Sequence, residues 1–203
     1  IRQSNTTESK NNVKKREREY KDHELNGKST SWYNNGLKKN EYEYKNGKLS
    51  GICIDWSENG DELFECEYKV SVLIKSKAIV WFKNGVKKSE YFFALHKGND
   101  NEAIYYENGS RKSECEYKHR VKNGKSIRWY ENGVKKWEYH YKDKYKNGIC
   151  YEWNDKGLLI LKKEYKDGLK DGEFIAWDDT GKKITELKFK DDVITKDGPK
   201  LSI

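Results

Sequence analysis

A repeat of 24 residues is the feature that most constrains this chain. Seven glycines recur at that spacing, apart from one 25-residue step between Gly60 and Gly85, and an aromatic residue stands four positions before each glycine. These anchors are Trp32 and Gly36, Trp56 and Gly60, Trp81 and Gly85, Tyr105 and Gly109, Trp129 and Gly133, Trp153 and Gly157, and Trp177 and Gly181. A period of this length indicates a repeat array, in which each unit buries its apolar residues against its neighbours.

The composition would suggest disorder if the repeat were ignored. Only 34% of the 203 residues are hydrophobic and 37% are charged, values typical of chains that lack a core. However, the seven Trp and fifteen Tyr recur mostly at fixed repeat positions, and each aromatic ring buries a large area. The sequence therefore predicts a thin aromatic core that continues along the array.

The charge pattern bears on the class of partner. The net charge is +8, but 34 acidic residues are interspersed among 42 basic ones. Nucleic-acid binding needs a patch or stripe of one sign, so this mixture does not favour nucleic acid as a partner.

The local pattern around each anchor predicts a β-hairpin. Asn132-Gly133 stands between two runs in which apolar and polar residues alternate, and this is the strongest short-range hairpin signal. We therefore expect an all-β fold, an elongated single-layer twisted antiparallel sheet of about seven stacked hairpins. Residues 14–190 would form the array, residues 1–13 a polar linker, and residues 191–203 a C-terminal cap or tail.

The parity of the apolar positions predicts the register. Residues at even distances from Gly60 are apolar on both sides of the turn, as Ile54 before it and Phe64 after it show. A loop with an odd number of residues, such as a three-residue loop with a bulge, would place them on one face. A two-residue loop would place Ile54 opposite Glu65, which is the worse pairing. We therefore expect the odd loop.

The same register predicts four free thiols. Cys66 and Cys115 occupy one repeat position on the apolar face, and four strand spacings, about 19 Å, would separate them. Cys53 and Cys150 would lie on the opposite face. In this register Cys53 does not face Cys66, whereas a two-residue loop would place the two thiols opposite each other.

The repeat resembles a known family. Runs such as Trp32-Tyr33-Asn34-Asn35-Gly36 and Trp129-Tyr130-Glu131-Asn132-Gly133 resemble the MORN repeat, and in particular the bacterial MORN-2 variant of proteins labelled the YwqK family of antitoxins. The resemblance covers about residues 14–190. It implies a twisted antiparallel array of stacked hairpins that works as a non-enzymatic interaction module. MORN arrays are linked to phospholipid binding and to protein scaffolding.

Two groups of residues are candidates for binding. The first is a lysine three positions after the turn glycine, which recurs as Lys39, Lys88, Lys112 and Lys136. A glutamate recurs two positions later, so the alternative is a solvated face of mutual ion pairs. The second group lies in the irregular segments 70–77 and 94–100, and comprises Leu73, Ile74, Leu95 and His96. Sequence drift in a tolerant repeat is the alternative there.

The sequence contains no motif that would indicate an enzyme. The four histidines do not fall at metal-ligand spacing, and neither a nucleophile elbow nor a phosphate-binding loop is present. We therefore expect a non-enzymatic scaffold with no catalytic residue, no cofactor and no metal, which binds an unidentified protein partner.

The compartment follows only as an expectation. No apolar run is long enough to span a membrane, and the chain begins at Ile1 and contains no Met, so we expect a processed or truncated protein that is exported to the cell surface or secreted. Two alternatives are a cytoplasmic antitoxin or immunity-type protein that masks a toxin, and a binder of anionic lipid or another anionic surface.

Overall fold

The protein is described here from a computed structural model, which describes residues 3–10, 13–94 and 98–197. Every helix or strand element in these ranges is a β-strand. The strands are β1 Gln3–Lys10, β2 Val13–Lys21, β3 Glu24–Trp32, β4 Lys38–Lys45, β5 Lys48–Trp56, β6 Glu62–Lys69, β7 Val72–Trp81, β8 Lys87–Ala94, β9 Asn99–Tyr105, β10 Arg111–Lys118, β11 Val121–Trp129, β12 Lys135–Lys142, β13 Tyr145–Lys146, β14 Gly148–Trp153, β15 Leu159–Lys166, β16 Leu169–Trp177, β17 Lys183–Lys190 and β18 Val193–Asp197.

The chain divides into two compact units. Unit 1 comprises residues 1–85 and 90–97, and unit 2 comprises residues 86–89 and 98–203. In unit 1, each strand from β1 to β7 pairs antiparallel with the next. In unit 2, β9 to β18 follow the same order, and both short strands β13 and β14 pair with β12. The predicted all-β sheet of antiparallel hairpin repeats is confirmed.

The turn at Gly60 has the predicted odd loop. The Gly60 N–H donates to the carbonyl of Ser57 at 3.0 Å, and the Ser57 N–H donates to the carbonyl of Asp61 at 2.8 Å. Three residues, 58–60, therefore close the loop. Gly60 has a φ of 89°, a conformation that glycine adopts without the steric cost of a side chain. The Asn-Gly signal thus predicted the position of the turn, and the parity of the apolar residues predicted its odd length.

The predicted register is wrong because a bulge follows the turn. Trp56 pairs with Glu62, but the residue before Trp56, Asp55, pairs with Phe64. Leu63 is therefore an extra residue, and it reverses the parity that the odd loop had set. Beyond the bulge Ile54 lies opposite Glu65. The equivalent extra residues at the other turns are Lys39, Lys112, Lys136, Ile160 and Ile184.

The bulge distributes the apolar residues over both faces. Directly paired residues lie on the same face of a sheet, so Cys53 shares a face with Cys66 and Tyr42. The opposite face carries glutamates beside buried aliphatic residues, such as Ile127 opposite Glu138. The core is therefore shared between two half-apolar faces.

The cysteine prediction is corrected by the same register. Cys53 and Cys66 lie directly opposite each other on β5 and β6, instead of on opposite faces. Cys115 pairs with Ser126, and Ser126 pairs with Tyr139. The register of β12 with β14 continues this row of paired residues to Cys150, so Cys150 lies on the same face as Cys115. All four cysteines are buried free thiols.

The segment predicted as a polar linker forms a strand. Residues 3–10 are β1, which pairs with β2 from Gln3↔Lys21 to Lys10↔Val13. Main-chain hydrogen bonds hold this strand pair together, and the polar composition of the segment gives no information about them. At the other end, residues 193–197 of the predicted cap form β18 and pair with β17.

Candidate interaction surfaces

The glutamates that stand two positions after the repeated lysines, such as Glu41 and Glu138, are neutralised by other lysines within the sheet. Glu41 accepts hydrogen bonds from the ammonium groups of Lys28, at 2.7 Å, and Lys38, at 2.6 Å. Burial alone would raise the pKa of Glu41, but the two lysines outweigh it and hold that pKa below its ordinary value. This carboxylate is therefore occupied by internal ion pairs.

The same arrangement recurs in unit 2. Glu138 lies 2.6 Å from the Lys135 ammonium and 3.5 Å from that of Lys125. Burial opposes ionisation, but the lysines again lower the pKa of the carboxyl group. The alternative of a face of mutual ion pairs therefore describes the glutamates well.

The predicted lysine column lies elsewhere. Lys39, Lys112 and Lys136 are the extra residues of the bulges. Their ammonium groups lie 5.6, 5.2 and 5.1 Å from the ring centres of the tyrosines that follow the aromatic anchors, which are Tyr33, Tyr106 and Tyr130. Cation–π contacts of this kind at exposed sites contribute about 0.5–1 kcal/mol each. Lys88 also has interaction partners.

The same tyrosines join consecutive repeats. The Tyr33 hydroxyl donates to the carbonyl of Trp56 at 2.8 Å, and the Tyr130 hydroxyl donates to that of Trp153 at 3.1 Å. These tyrosine side chains therefore already join one hairpin to the next, and the lysines lie over their rings.

The irregular segments give a weaker candidate. Leu73 and Ile74 are half-buried in β7, and Leu95 and His96 lie outside the described residues. Near β7 in unit 1 a depression of about 80 Å³ is lined by Glu65, Lys75, Ser76, Lys77 and Phe92. Lys77 lies 2.8 Å from Glu62 and 3.2 Å from Glu65, so its charge is also engaged internally.

Asp100 is a second irregularity. It stands five residues before the anchor Tyr105, a position at which five other repeats have a second glycine (Gly27, Gly51, Gly124, Gly148 and Gly172), and it is 0% exposed. Neither of its carboxylate oxygens has a hydrogen-bond partner.

A carboxylate cradle explains the second glycine of the repeat. In unit 2, Glu116 Oε2 accepts the backbone N–H of Lys125 at 2.8 Å. The glycine before that N–H, Gly124, has a φ of 108°, and a side chain there would overlap the carboxylate. The same contact joins Glu19 to Lys28, Glu43 to Ile52 and Glu164 to Glu173.

An exposed apolar ridge runs along unit 2. It lies at the turns that join one anchor hairpin to the next, at the strand ends far from the anchor glycines. It consists of Val121, Tyr145, Leu169 and Val193, which recur every 24 residues and are 40%, 50%, 44% and 65% exposed. Backbone hydrogen bonds between successive turns, such as Lys144 N–H to the carbonyl of Lys122 at 2.8 Å, place them in one row. Two strand spacings, roughly 10 Å, separate consecutive members.

Basic side chains flank the apolar ridge. Each ridge residue lies directly opposite a lysine in its hairpin; these lysines are Lys118, Lys142, Lys166 and Lys190. The four turn segments, 118–122, 142–146, 166–170 and 190–193, carry nine basic against four acidic side chains, an excess of five positive charges. The equivalent positions in unit 1 are Glu24, Lys48 and Val72, so the ridge is a feature of unit 2.

Comparison with known proteins adds no family assignment. A scan of protein-family models and a search of curated proteins found no match to this chain.

Across residues 3–10, 13–94 and 98–197, no three His, Cys, Asp or Glu residues are grouped so that they could hold a metal ion. The same residues contain no helix of the length and hydrophobicity needed to cross a membrane. The MORN resemblance and the expected export stay predictions.

Proposed function

We propose that this chain is a non-enzymatic scaffold that binds an acidic protein segment along the apolar ridge of unit 2. The observation that carries the proposal is the row of four exposed apolar side chains, each paired with a lysine. These apolar side chains are 40–65% exposed, and exposed apolar rows with a polar rim mark binding sites.

The spacing and charge define the partner. Apolar groups on the partner would need to recur at roughly 10 Å, which is about seven residues of an α-helix, since each residue rises 1.5 Å. The positive rim favours Asp and Glu between those groups and would speed association at low salt. The partner is therefore expected to be an acidic amphipathic helix.

A peptide library tests this proposal directly. Random peptides about four helical turns long, displayed on phage, would be selected on the intact protein. The selected peptides are then compared on a variant in which Val121, Tyr145, Leu169 and Val193 are all Ser. We expect acidic peptides with heptad-spaced apolar residues, a loss of affinity of at least about 10-fold on the ridge variant, and weaker binding as salt rises.

The control uses the one apolar residue at an equivalent position in unit 1. Val72→Ser should leave peptide affinity unchanged, and circular dichroism should show that both variants keep their strands. Peptides that bind the ridge variant as well as the native protein would refute the ridge as the binding site. Selection of no acidic peptide, together with sedimentation on vesicles of anionic lipid, would favour the anionic-surface alternative instead.

A further inference from the structure

Two buried thiols face each other in unit 1. Cys53 on β5 and Cys66 on β6 are a directly opposed pair, and they are 3% and 4% exposed. Opposed residues in antiparallel strands have Cα atoms about 4.5–5.5 Å apart, and a disulfide joins Cα atoms about 4.4–6.8 Å apart. Backbone positions of this kind therefore accept a bridge with little rearrangement.

We propose that Cys53 and Cys66 are a redox site, which forms a disulfide by exchange with a small-molecule disulfide such as oxidised glutathione. One thiol loses its proton and attacks the reagent, so that a mixed disulfide forms and one reagent thiolate leaves. The second protein thiol, after losing its proton, attacks the protein-side sulfur and releases the other reagent thiolate. The two protons lost by the protein end on the two reagent thiols, and the reagent is reduced while the protein is oxidised.

The other two cysteines lack this arrangement. Cys115 lies opposite Glu102 on one side and Ser126 on the other. Cys150 lies opposite Lys163. Both are buried free thiols like the first pair, so they differ in having no thiol on a neighbouring strand. They are matched internal controls for reactivity that arises from burial alone.

Burial limits the rate of the exchange. Desolvation is the main reason that the pKa of both thiols is raised, that of Cys66 to about 12. The reactive species is the thiolate, and the reagent must also reach a covered sulfur. The exchange therefore proceeds through opening of the β5–β6 hairpin, and we expect it to take hours instead of seconds.

The bridge would fix the hairpin that it crosses. It closes a loop that contains 12 residues between the two cysteines. From the loop-entropy relation, a bridge of this size should raise the melting temperature by about 6–12 °C. Oxidation would thus convert part of unit 1 into a stapled, more stable hairpin.

The experiment is oxidation of the native protein followed by alkylation and peptide mapping. The intact chain is incubated with oxidised glutathione, free thiols are alkylated, and peptides are identified by mass spectrometry without reduction. We expect a Cys53–Cys66 linked peptide that has lost two hydrogen atoms, alkylated Cys115 and Cys150, and a raised melting temperature. In denaturant, the same reagent should give mixed pairings, because the strands no longer select a partner.

Two variants keep the test decisive. Cys66→Ser should abolish both the linked peptide and the gain in melting temperature, whereas Cys115→Ser should leave both unchanged. Alkylation of all four cysteines in the native protein, after incubation long enough to oxidise the denatured chain, would overturn the proposal. A native pattern of mixed pairings, or a bridge that includes Cys115 or Cys150, would also overturn it.

Discussion

Replacing Gly124 by Ala tests whether the carboxylate cradle holds one hairpin to the next. Gly124 has a φ of 108°, and an added Cβ would overlap Glu116 Oε2 and lie 3.0 Å from Glu116 Cβ. The new methyl group must therefore displace the carboxylate from the backbone N–H of Lys125, which it accepts at 2.8 Å. Both the backbone strain and the lost hydrogen bond should destabilise unit 2.

The two contributions have different magnitudes. A side chain at a positive φ costs about 1–3 kcal/mol of folding free energy. A hydrogen bond to a charged group contributes about 1.5–3 kcal/mol, and we take the lower end because this bond lies at the surface. The expected loss for Gly124→Ala is therefore about 2.5–4.5 kcal/mol.

Gly148→Ala is the matched control. Gly148 occupies the equivalent position of the next repeat with a φ of 98°, but an added Cβ meets only His140 Cβ, at 3.9 Å. It should therefore show the strain without the displaced carboxylate. Urea unfolding should show Gly124→Ala less stable than Gly148→Ala by about 1.5 kcal/mol, equivalent to about 3–6 °C in melting temperature.

A double-mutant cycle sharpens the comparison. In a Glu116→Ala background no carboxylate is left to displace, so Gly124→Ala should cost less than it does in the native background. Equal losses for the two glycine variants in the native background, or a Gly124→Ala loss that Glu116→Ala does not reduce, would show that the cradle contributes nothing measurable.

Two further predictions concern pH. Because Lys135 and Lys125 lower the pKa of Glu138 against the effect of burial, this carboxylate stabilises the fold above its ordinary pKa of about 4.3, and the stability is lost as pH falls; Glu138→Gln should flatten urea-unfolding free energies plotted from about pH 6 to pH 3. Burial first, and then the hydrogen bond that its hydroxyl donates to Glu152, raise the pKa of Tyr139, so its stabilising effect is present below about pH 10 and declines above it. Thermal melts of Tyr139→Phe should therefore lose less stability than the native protein does above that pH, and parallel curves would contradict the assignment.

The turns were predictable from the sequence, but the register was not. Asn-Gly between alternating runs reports a local backbone conformation, and the loop at Gly60 has the predicted three residues. The register depends on Leu63, an extra residue that pairs with nothing on β5. Leu63 is apolar in one repeat and its equivalent is Lys39 in another, so no residue type marks the bulge. One unrecognised residue was enough to reverse the predicted faces.

The candidate site was only partly predictable, for a different reason. The lysines at 39, 112 and 136 repeat clearly, yet in the structure their ammonium groups lie over tyrosine rings of their own hairpins. The ridge residues repeat just as clearly at 121, 145, 169 and 193, but a periodic apolar residue is ordinarily assigned to a core. Only the exposed fractions of these four side chains show that they lie at the surface and not in a core.

The uneven distribution of the ridge is an argument that it serves binding and not folding. Every hairpin needs its turn glycine, its aromatic anchor and its cross-strand pairs, and both units have them. The ridge position, which is the first residue of the strand after the turn between two anchor hairpins, is not needed in this way. At that position unit 1 has Glu24 and Lys48 and still forms the same hairpins. Apolar side chains at all four such positions from Val121 to Val193, 40–65% exposed, are therefore not explained by the stability of the sheet. Since exposed apolar area lowers solubility, a partner that covers it is the physical reason we infer for their presence.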